Sequence, residues 1–183
     1  MHKLIAAAVL LITVTTGPKY QLGREATPEE IRAVDISVFP DGTGLPRGSG
    51  TAKTGAAIYG RKCATCHGAN GKGNADFPRL AGGIGTLAGS EPILTVGSYW
   101  PYATTVWDYV HRAMPYPQPG TLNPNEVYAL TAYILALNGI ISDTTELNQR
   151  SLPAVRMPNR DGFIADSRPD TKGSPPKQMR SRR

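Results

Sequence analysis

Apolar residues recur at helical spacing most clearly towards the end of the chain's central part. Four of them follow one another at spacings of three, four and three: Val127, Leu130, Ile134 and Leu137. Start and stop signals frame them, because Asn123 is a good N-cap, Pro124 suits the first helical position, Glu126 stands third and Gly139 follows the end. The pattern predicts a helix over Pro124 to Asn138 with one covered face.

Two shorter helices are predicted upstream, over Gly55 to Cys63 and over Thr104 to Arg112. The second ends before Met114, because the prolines that follow forbid its continuation. A glycine-rich stretch over residues 68–89 separates the two helices. No strand pairing is predicted, so we expect an all-α domain with long loops.

Composition divides the chain into a compact middle and loose ends. With 183 residues, 40% apolar but only 7% aromatic, and with 20 glycines and 16 prolines, one modest core with many turns is expected. The predicted segments are a signal peptide (1–17), an extended, loop-rich wrap (18–53), the folded domain (54–141), a C-terminal extension (142–164) and a disordered basic tail (165–183). Within the wrap, Thr27, Pro28 and Glu30 predict a helix start.

The two ends differ in charge and hydropathy. His2 and Lys3 precede an apolar run over Leu4 to Val14, which is shorter than the roughly 20 residues that span a bilayer. This predicts a cleaved export signal and a periplasmic protein; an uncleaved N-terminal anchor is the alternative.

The tail, rich in proline and serine, contributes +4 to a formal charge of +6. No nucleic-acid partner is expected of an exported chain.

The sequence Cys63-Ala64-Thr65-Cys66-His67 carries the chemistry. Two thiols separated by two residues can add to the two vinyl groups of one haem, and the adjacent histidine then lies under the macrocycle to bind iron. A structural zinc site needs four ligands, a thioredoxin-like pair needs a preceding strand, and a disulfide leaves His67 unexplained. We therefore expect one covalently bound haem c, with its iron, on Cys63 and Cys66.

A sixth iron ligand decides between electron transfer and ligand chemistry. Met114, which ends one helix and precedes the capped helix, is the predicted ligand. Met157 is the alternative, although it follows the point where the domain is expected to close. His111, on a partly exposed helix face, is the weaker competitor. Met179 lies in the basic tail.

Residues that would orient His67 or surround the haem are also predicted. A carbonyl usually accepts the second ring proton of an iron-binding histidine, and Pro78 is a suitable provider for His67. Four aromatic residues are candidates either for the haem pocket or for the ordinary core: Tyr99, Trp100, Tyr102 and Trp107.

These features resemble a class I cytochrome c. That family has a glycine and an aromatic residue before the haem motif, matched by Gly55 and Tyr59, and a Pro-x-Leu after it, matched by Pro78 and Leu80. Its axial methionine precedes a C-terminal helix and corresponds to Met114. The resemblance implies the family's all-α fold and both axial ligands.

A narrower resemblance is to the cytochrome subunits of bacterial sulfite or sulfur dehydrogenases, the SoxD type. It rests on DISVFPDGTGLPRGSGT, on TVGSYWPYATTVWDYVHRAMPYPQPGTLNPNEVYALTAYILALNGI and on VRMPNRDGF. It implies single-electron transfer from a molybdenum-cofactor subunit to a downstream cytochrome or oxidase, with no catalytic residue on this chain. The alternatives are a haem enzyme or ligand-binding cytochrome with a displaceable methionine, a general periplasmic shuttle, and a membrane-held scaffold.

Overall fold

The structure, a computed structural model, describes residues 22–164. In chain order its elements are α1 (Pro28–Val34), β1 (Ser49–Thr51), α2 (Ala52–Lys62), α3 (Ala64–His67), α4 (Ala103–Ala113), α5 (Pro124–Leu137) and β2 (Glu146–Asn148). The predicted signal peptide (1–17) and basic tail (165–183) lie outside the described residues, as does the start of the predicted wrap. None of the helices within residues 22–164 has the length and apolar character needed to cross a membrane.

The described residues form two compact units, which divide after Asp35. The first contains α1, whose start is the predicted one. The Thr27 hydroxyl accepts a hydrogen bond from the Glu30 N–H, the Glu30 carboxylate accepts one from the Thr27 N–H, and Pro28 occupies the first turn. The second unit begins at Ile36 and holds the remaining elements.

Helices α2 and α5 cross closely at the centre of the second unit. A Cβ atom at Gly55 would lie 2.6 Å from the carbonyl carbon of Ala129 and 2.9 Å from Cβ of Tyr133, so only glycine fits there. The helix α2 begins three residues before the predicted start, because Thr51 and Thr54 form a capping box across its first turn. The capping box predicted for α5 is present.

Residues 36–46 lie along α4 and α5. The Val38 N–H donates to Asp108 Oδ1 (3.0 Å), and the Thr104 hydroxyl donates to the Pro40 carbonyl (3.3 Å). The Tyr128 hydroxyl donates to the Pro46 carbonyl at 2.9 Å. These bonds satisfy polar groups of a segment that has no regular structure of its own.

One strand pair is present where none is predicted. The strands β1 and β2 are antiparallel, with Ser49 opposite Asn148 and Thr51 opposite Glu146. Residues after Ile141 also enter the core: Leu147 and Leu152 are 0% exposed and Met157 is 1% exposed. The hydrophobic core therefore continues into the extension 142–164, and the regular structure within residues 22–164 is helical apart from this one short strand pair.

Candidate functional site

The two cysteines lie where α2 passes into α3. Cys63 ends α2, with its N–H donating to the Tyr59 carbonyl at 2.9 Å, and its own carbonyl accepts from the His67 N–H at 2.9 Å. Gly68, at a φ of 75°, then ends the single turn of α3. Cys63, Cys66 and His67 consequently lie on one short helical turn.

Both thiols are free and half-buried. Burial raises the pKa of the Cys63 thiol to about 11, so this sulfur is protonated at neutral pH. Cys63 is thus a neutral side chain that packs against the core cluster. Reduced thiols are the form that adds to vinyl groups.

His67 is oriented by the loop that follows it. Its Nδ1 lies 2.9 Å from the Pro78 carbonyl, the predicted partner, and this expectation is confirmed. An imidazole that donates through Nδ1 presents Nε2 with a free lone pair, which is the arrangement an iron ligand needs. The ring also meets Phe77 edge to face, with 6.5 Å between ring centroids.

Glycines allow this loop to fold back beneath His67. The Gly73 N–H donates to the His67 carbonyl (2.8 Å), and the Gly71 carbonyl accepts from the Leu80 N–H (2.7 Å). Gly73 has a φ of 71°, and a Cβ there would lie 2.7 Å from the Arg79 backbone nitrogen. The loop that presents the Pro78 carbonyl therefore depends on glycine at position 73.

Asn138, which ends α5, holds the same loop and is not predicted from the sequence. Its Oδ1 accepts from the Gly82 N–H (3.1 Å), and its Nδ2 donates to the Leu80 carbonyl (3.1 Å) and to the Ile134 carbonyl (2.9 Å). The residue is only 8% exposed. A helix-end asparagine is ordinary in sequence, and only the fold shows that its amide reaches a distant loop.

Met114 and Met157 lie in different environments. Met114 ends α4, with its N–H donating to the Val110 carbonyl at 3.1 Å, and its half-buried side chain packs at the margin of the core. Met157 is 1% exposed, inside the core cluster with Leu147 and Leu152. A thioether enclosed in the hydrophobic core fills space, whereas one at the core margin remains available to a cofactor.

His111 and the candidate aromatic residues are also placed. The His111 ring is half-buried against Trp107, with 4.8 Å between centroids. Trp107 itself is 0% exposed in the core and packs on Tyr128. Trp100 meets Tyr109 edge to face at 5.7 Å. Trp107 is thus a core residue, whereas Trp100 is only half-buried.

The donor set suits haem iron better than a metal held by protein alone. Among residues 22–164 no group of three or more His, Cys, Asp or Glu side chains is arranged to hold a metal ion. The chain offers instead two thiols on one turn, an imidazole whose Nδ1 is engaged by the Pro78 carbonyl, and the half-buried thioether of Met114. Imidazole and thioether are common axial ligands of haem iron in cytochromes c.

The part of the chain that carries both cysteines and His67 matches known proteins. The cytochrome c family model matches residues 52–138. The chain is 47% identical to a chain in the crystal structure of the sulfane dehydrogenase SoxCD from Paracoccus pantotrophus, with a TM-score of 0.76, and the match covers 85% of this chain and 76% of that one.

Two further relatives match over shorter lengths. The cbb3-type cytochrome c oxidase subunit FixP of Azorhizobium caulinodans is 34% identical over 96 residues, which is 51% of this chain and 30% of that protein. A chain of the thiosulfate dehydrogenase TsdBA from Marichromatium purpuratum is 29% identical, with a TM-score of 0.37. This match covers 50% of the present chain and 20% of the TsdBA chain. The chain thus spans about a third of the curated relative it matches.

The thiol pair with its adjacent histidine, the family match and the near-full-length likeness to the SoxCD chain agree with one another. Haem c supplies one-electron ferric–ferrous chemistry when it is bound. The chain therefore belongs to the cytochrome c family and is an electron carrier with covalently bound haem c and its iron.

Proposed function

We propose that the chain is the electron-accepting cytochrome subunit of a molybdenum-dependent sulfite or sulfur dehydrogenase. The observation that carries the proposal is the 47% identity, over 85% of the chain, to a chain of the sulfane dehydrogenase SoxCD. That likeness extends well beyond the cytochrome c match at residues 52–138, which shorter cytochromes would also satisfy. The donor is then a molybdenum-cofactor subunit, and the acceptor is a second cytochrome or an oxidase.

Cys63 and Cys66 are the proposed attachment residues. Each thiol adds across one vinyl group, with the sulfur bonding to carbon and the proton completing the saturated side chain. Their place on one turn, with Cys63 packed on the core, supports the assignment. Two covalent bonds from Cys63 and Cys66 would keep the group attached in both oxidation states of its iron.

His67 and Met114 are the proposed axial ligands. The contact between His67 Nδ1 and the Pro78 carbonyl fixes the ring and makes Nε2 the better donor. Met114 is favoured over Met157 by their burial, since Met157 is enclosed in the core at 1% exposure. With both ligands supplied by the chain, little has to move on electron transfer, and no acid, base or nucleophile is required of the protein.

The periplasm is the proposed location. The apolar run over Leu4 to Val14 favours export, and in bacteria covalent haem attachment takes place outside the cytoplasm. The proposal is checked by sequencing the N-terminus of the mature protein, which should begin after the leader; an intact leader would indicate a retained anchor.

The dehydrogenase proposal is tested by isolating the tagged protein gently from its own cells. We expect molybdenum in the preparation and rapid reduction of the haem by sulfite. The matched control is the same cytochrome matured in a host without the partner, which should stay oxidised under the same sulfite. A haem-loaded preparation that contains no molybdenum and is not reduced would contradict the proposal and favour a general periplasmic shuttle.

A further inference from the structure

The C-terminal extension contacts the turn that leads into α4. Residues 99–102, here called the aromatic turn, meet three side chains of the extension. Asn159 Nδ2 donates to the Tyr99 carbonyl at 2.7 Å, Phe163 packs on the Tyr99 ring at 5.3 Å between centroids, and the Arg160 guanidinium lies 4.2 Å from the centre of the Tyr102 ring. A hydrogen bond, a ring contact and a cation–π contact thus join the two segments.

Part of the extension is itself buried in the hydrophobic core. Met157 is 1% exposed and Leu152 is 0% exposed, and both belong to the main hydrophobic cluster. Tight turns follow, in which the Met157 carbonyl accepts from the Arg160 N–H (3.1 Å) and the Asn159 carbonyl accepts from the Gly162 N–H (3.2 Å). Asn159 and Arg160 are therefore held in place by turns that follow directly on the buried Met157.

Met114 depends on α4 for its position. Every residue from Tyr116 to Thr121 is exposed, and Tyr116 is 78% exposed, so this segment packs little before the chain returns to the core at Leu122. Before Met114, α4 is a continuous helix of 11 residues whose N-cap is Tyr102. Tyr102 and Met114 therefore cap the two ends of one hydrogen-bonded helix, so a restraint on Tyr102 acts on the element that positions Met114.

We propose that Asn159 and Arg160 are positioning residues that hold the aromatic turn, and through α4 keep Met114 on the haem iron. The inference rests on the proposed ligation by Met114. The extension lengthens the time for which Met114 stays bound, because the aromatic turn must leave Asn159 and Arg160 before α4 can shift. Loss of one such contact should speed replacement of Met114 by an external ligand about fivefold. That factor corresponds to the net free energy that a typical hydrogen bond contributes.

The test measures how fast imidazole replaces the methionine ligand in the ferric, haem-loaded protein. The variants are Asn159→Leu, which keeps the shape but cannot donate, and Arg160→Gln, which removes the cation above Tyr102. The matched control is Arg156→Gln, the same change in the same extension, where the arginine is exposed and pairs only with exposed Asp161. We expect faster replacement in N159L and R160Q and the wild-type rate in R156Q.

Global unfolding is measured on the same proteins, so that the positioning role is separated from a merely structural one. Variants that lose stability while keeping the wild-type imidazole rate would overturn the proposal, and so would equal rates in R160Q and R156Q. A wild-type protein that lacks the methionine–iron charge-transfer band would refute ligation by Met114, and the positioning role with it. A band present with unchanged rates would refute the positioning role alone.

Discussion

The crossing of α2 and α5 leaves no room for a side chain at Gly55. In Gly55→Ala the new Cβ would lie 2.6 Å from the carbonyl carbon of Ala129 and closer still to its oxygen. These are backbone atoms of a helix, which cannot rotate away, so the two helices must separate. Because α2 leads directly into Cys63, the displacement also reaches the haem-attachment turn.

The cost of this substitution follows from two opposing effects. Overpacking against backbone costs about 3 kcal/mol or more, whereas the better helix propensity of alanine returns less than about 1 kcal/mol. The expected net loss is about 2 kcal/mol or more, a fall in Tm of about 4–8 °C for a chain of this size. Urea and thermal unfolding of the haem-loaded protein, followed by far-UV circular dichroism, measure it.

Gly60→Ala is the matched control in the same helix. Gly60 is exposed, and a Cβ there meets nothing within 4 Å, so the variant should be more stable by about 0.5–1 kcal/mol. Opposite signs for the two substitutions are the signature of a close crossing at Gly55. If Gly55→Ala were as stable as Gly60→Ala, the described approach of α2 to Ala129 would be wrong.

Other predictions concern buried polar groups. Asn138→Ala leaves the Gly82 N–H and the Leu80 carbonyl without their side-chain partner, so we expect a loss of about 2–3 kcal/mol in urea unfolding. Tyr128→Phe removes a bond to the Pro46 carbonyl and should cost about 1 kcal/mol at pH 7. Burial raises the pKa of Tyr128 to about 12, so its neutral form stabilises the fold below pH 10 and that stability is lost as the pH rises towards 12. The phenylalanine variant should therefore lose less stability than the wild type between pH 10 and 12; an identical loss would contradict this.

Local signals predict the helices well and their long-range partners poorly. The start of α5 follows from Asn123, Pro124 and Glu126, which lie within one helical turn and include the capping box. Its end follows from Gly139, which has a φ of 66°. The helix α2 begins earlier than predicted because the cap is Thr51, with Thr54 in the third position, and a threonine pair is a weaker signal than an acidic capping box. The glycine at 55 looks like a helix boundary and is instead a packing requirement.

Contacts between distant segments leave little trace in sequence. The pairing of Ser49 with Asn148 joins two three-residue strands almost a hundred positions apart, too short for any alternation of polar and apolar residues. The same holds for Met157, whose burial depends on where the extension folds back. By contrast, the bond between His67 and the Pro78 carbonyl is predictable, because the chemistry of an iron-bound histidine demands such a partner.

The central claim, a haem c iron held between His67 and Met114, is tested most directly by the ferric spectra of Met114→Ala and Met157→Ala beside the wild type. We predict a methionine–iron charge-transfer band in the wild type and in M157A, and its loss in M114A. Met157 is buried in the hydrophobic core, so M157A should lower stability, by about 2–5 kcal/mol, without changing the iron ligands. A band that persists in M114A and disappears in M157A would contradict the account.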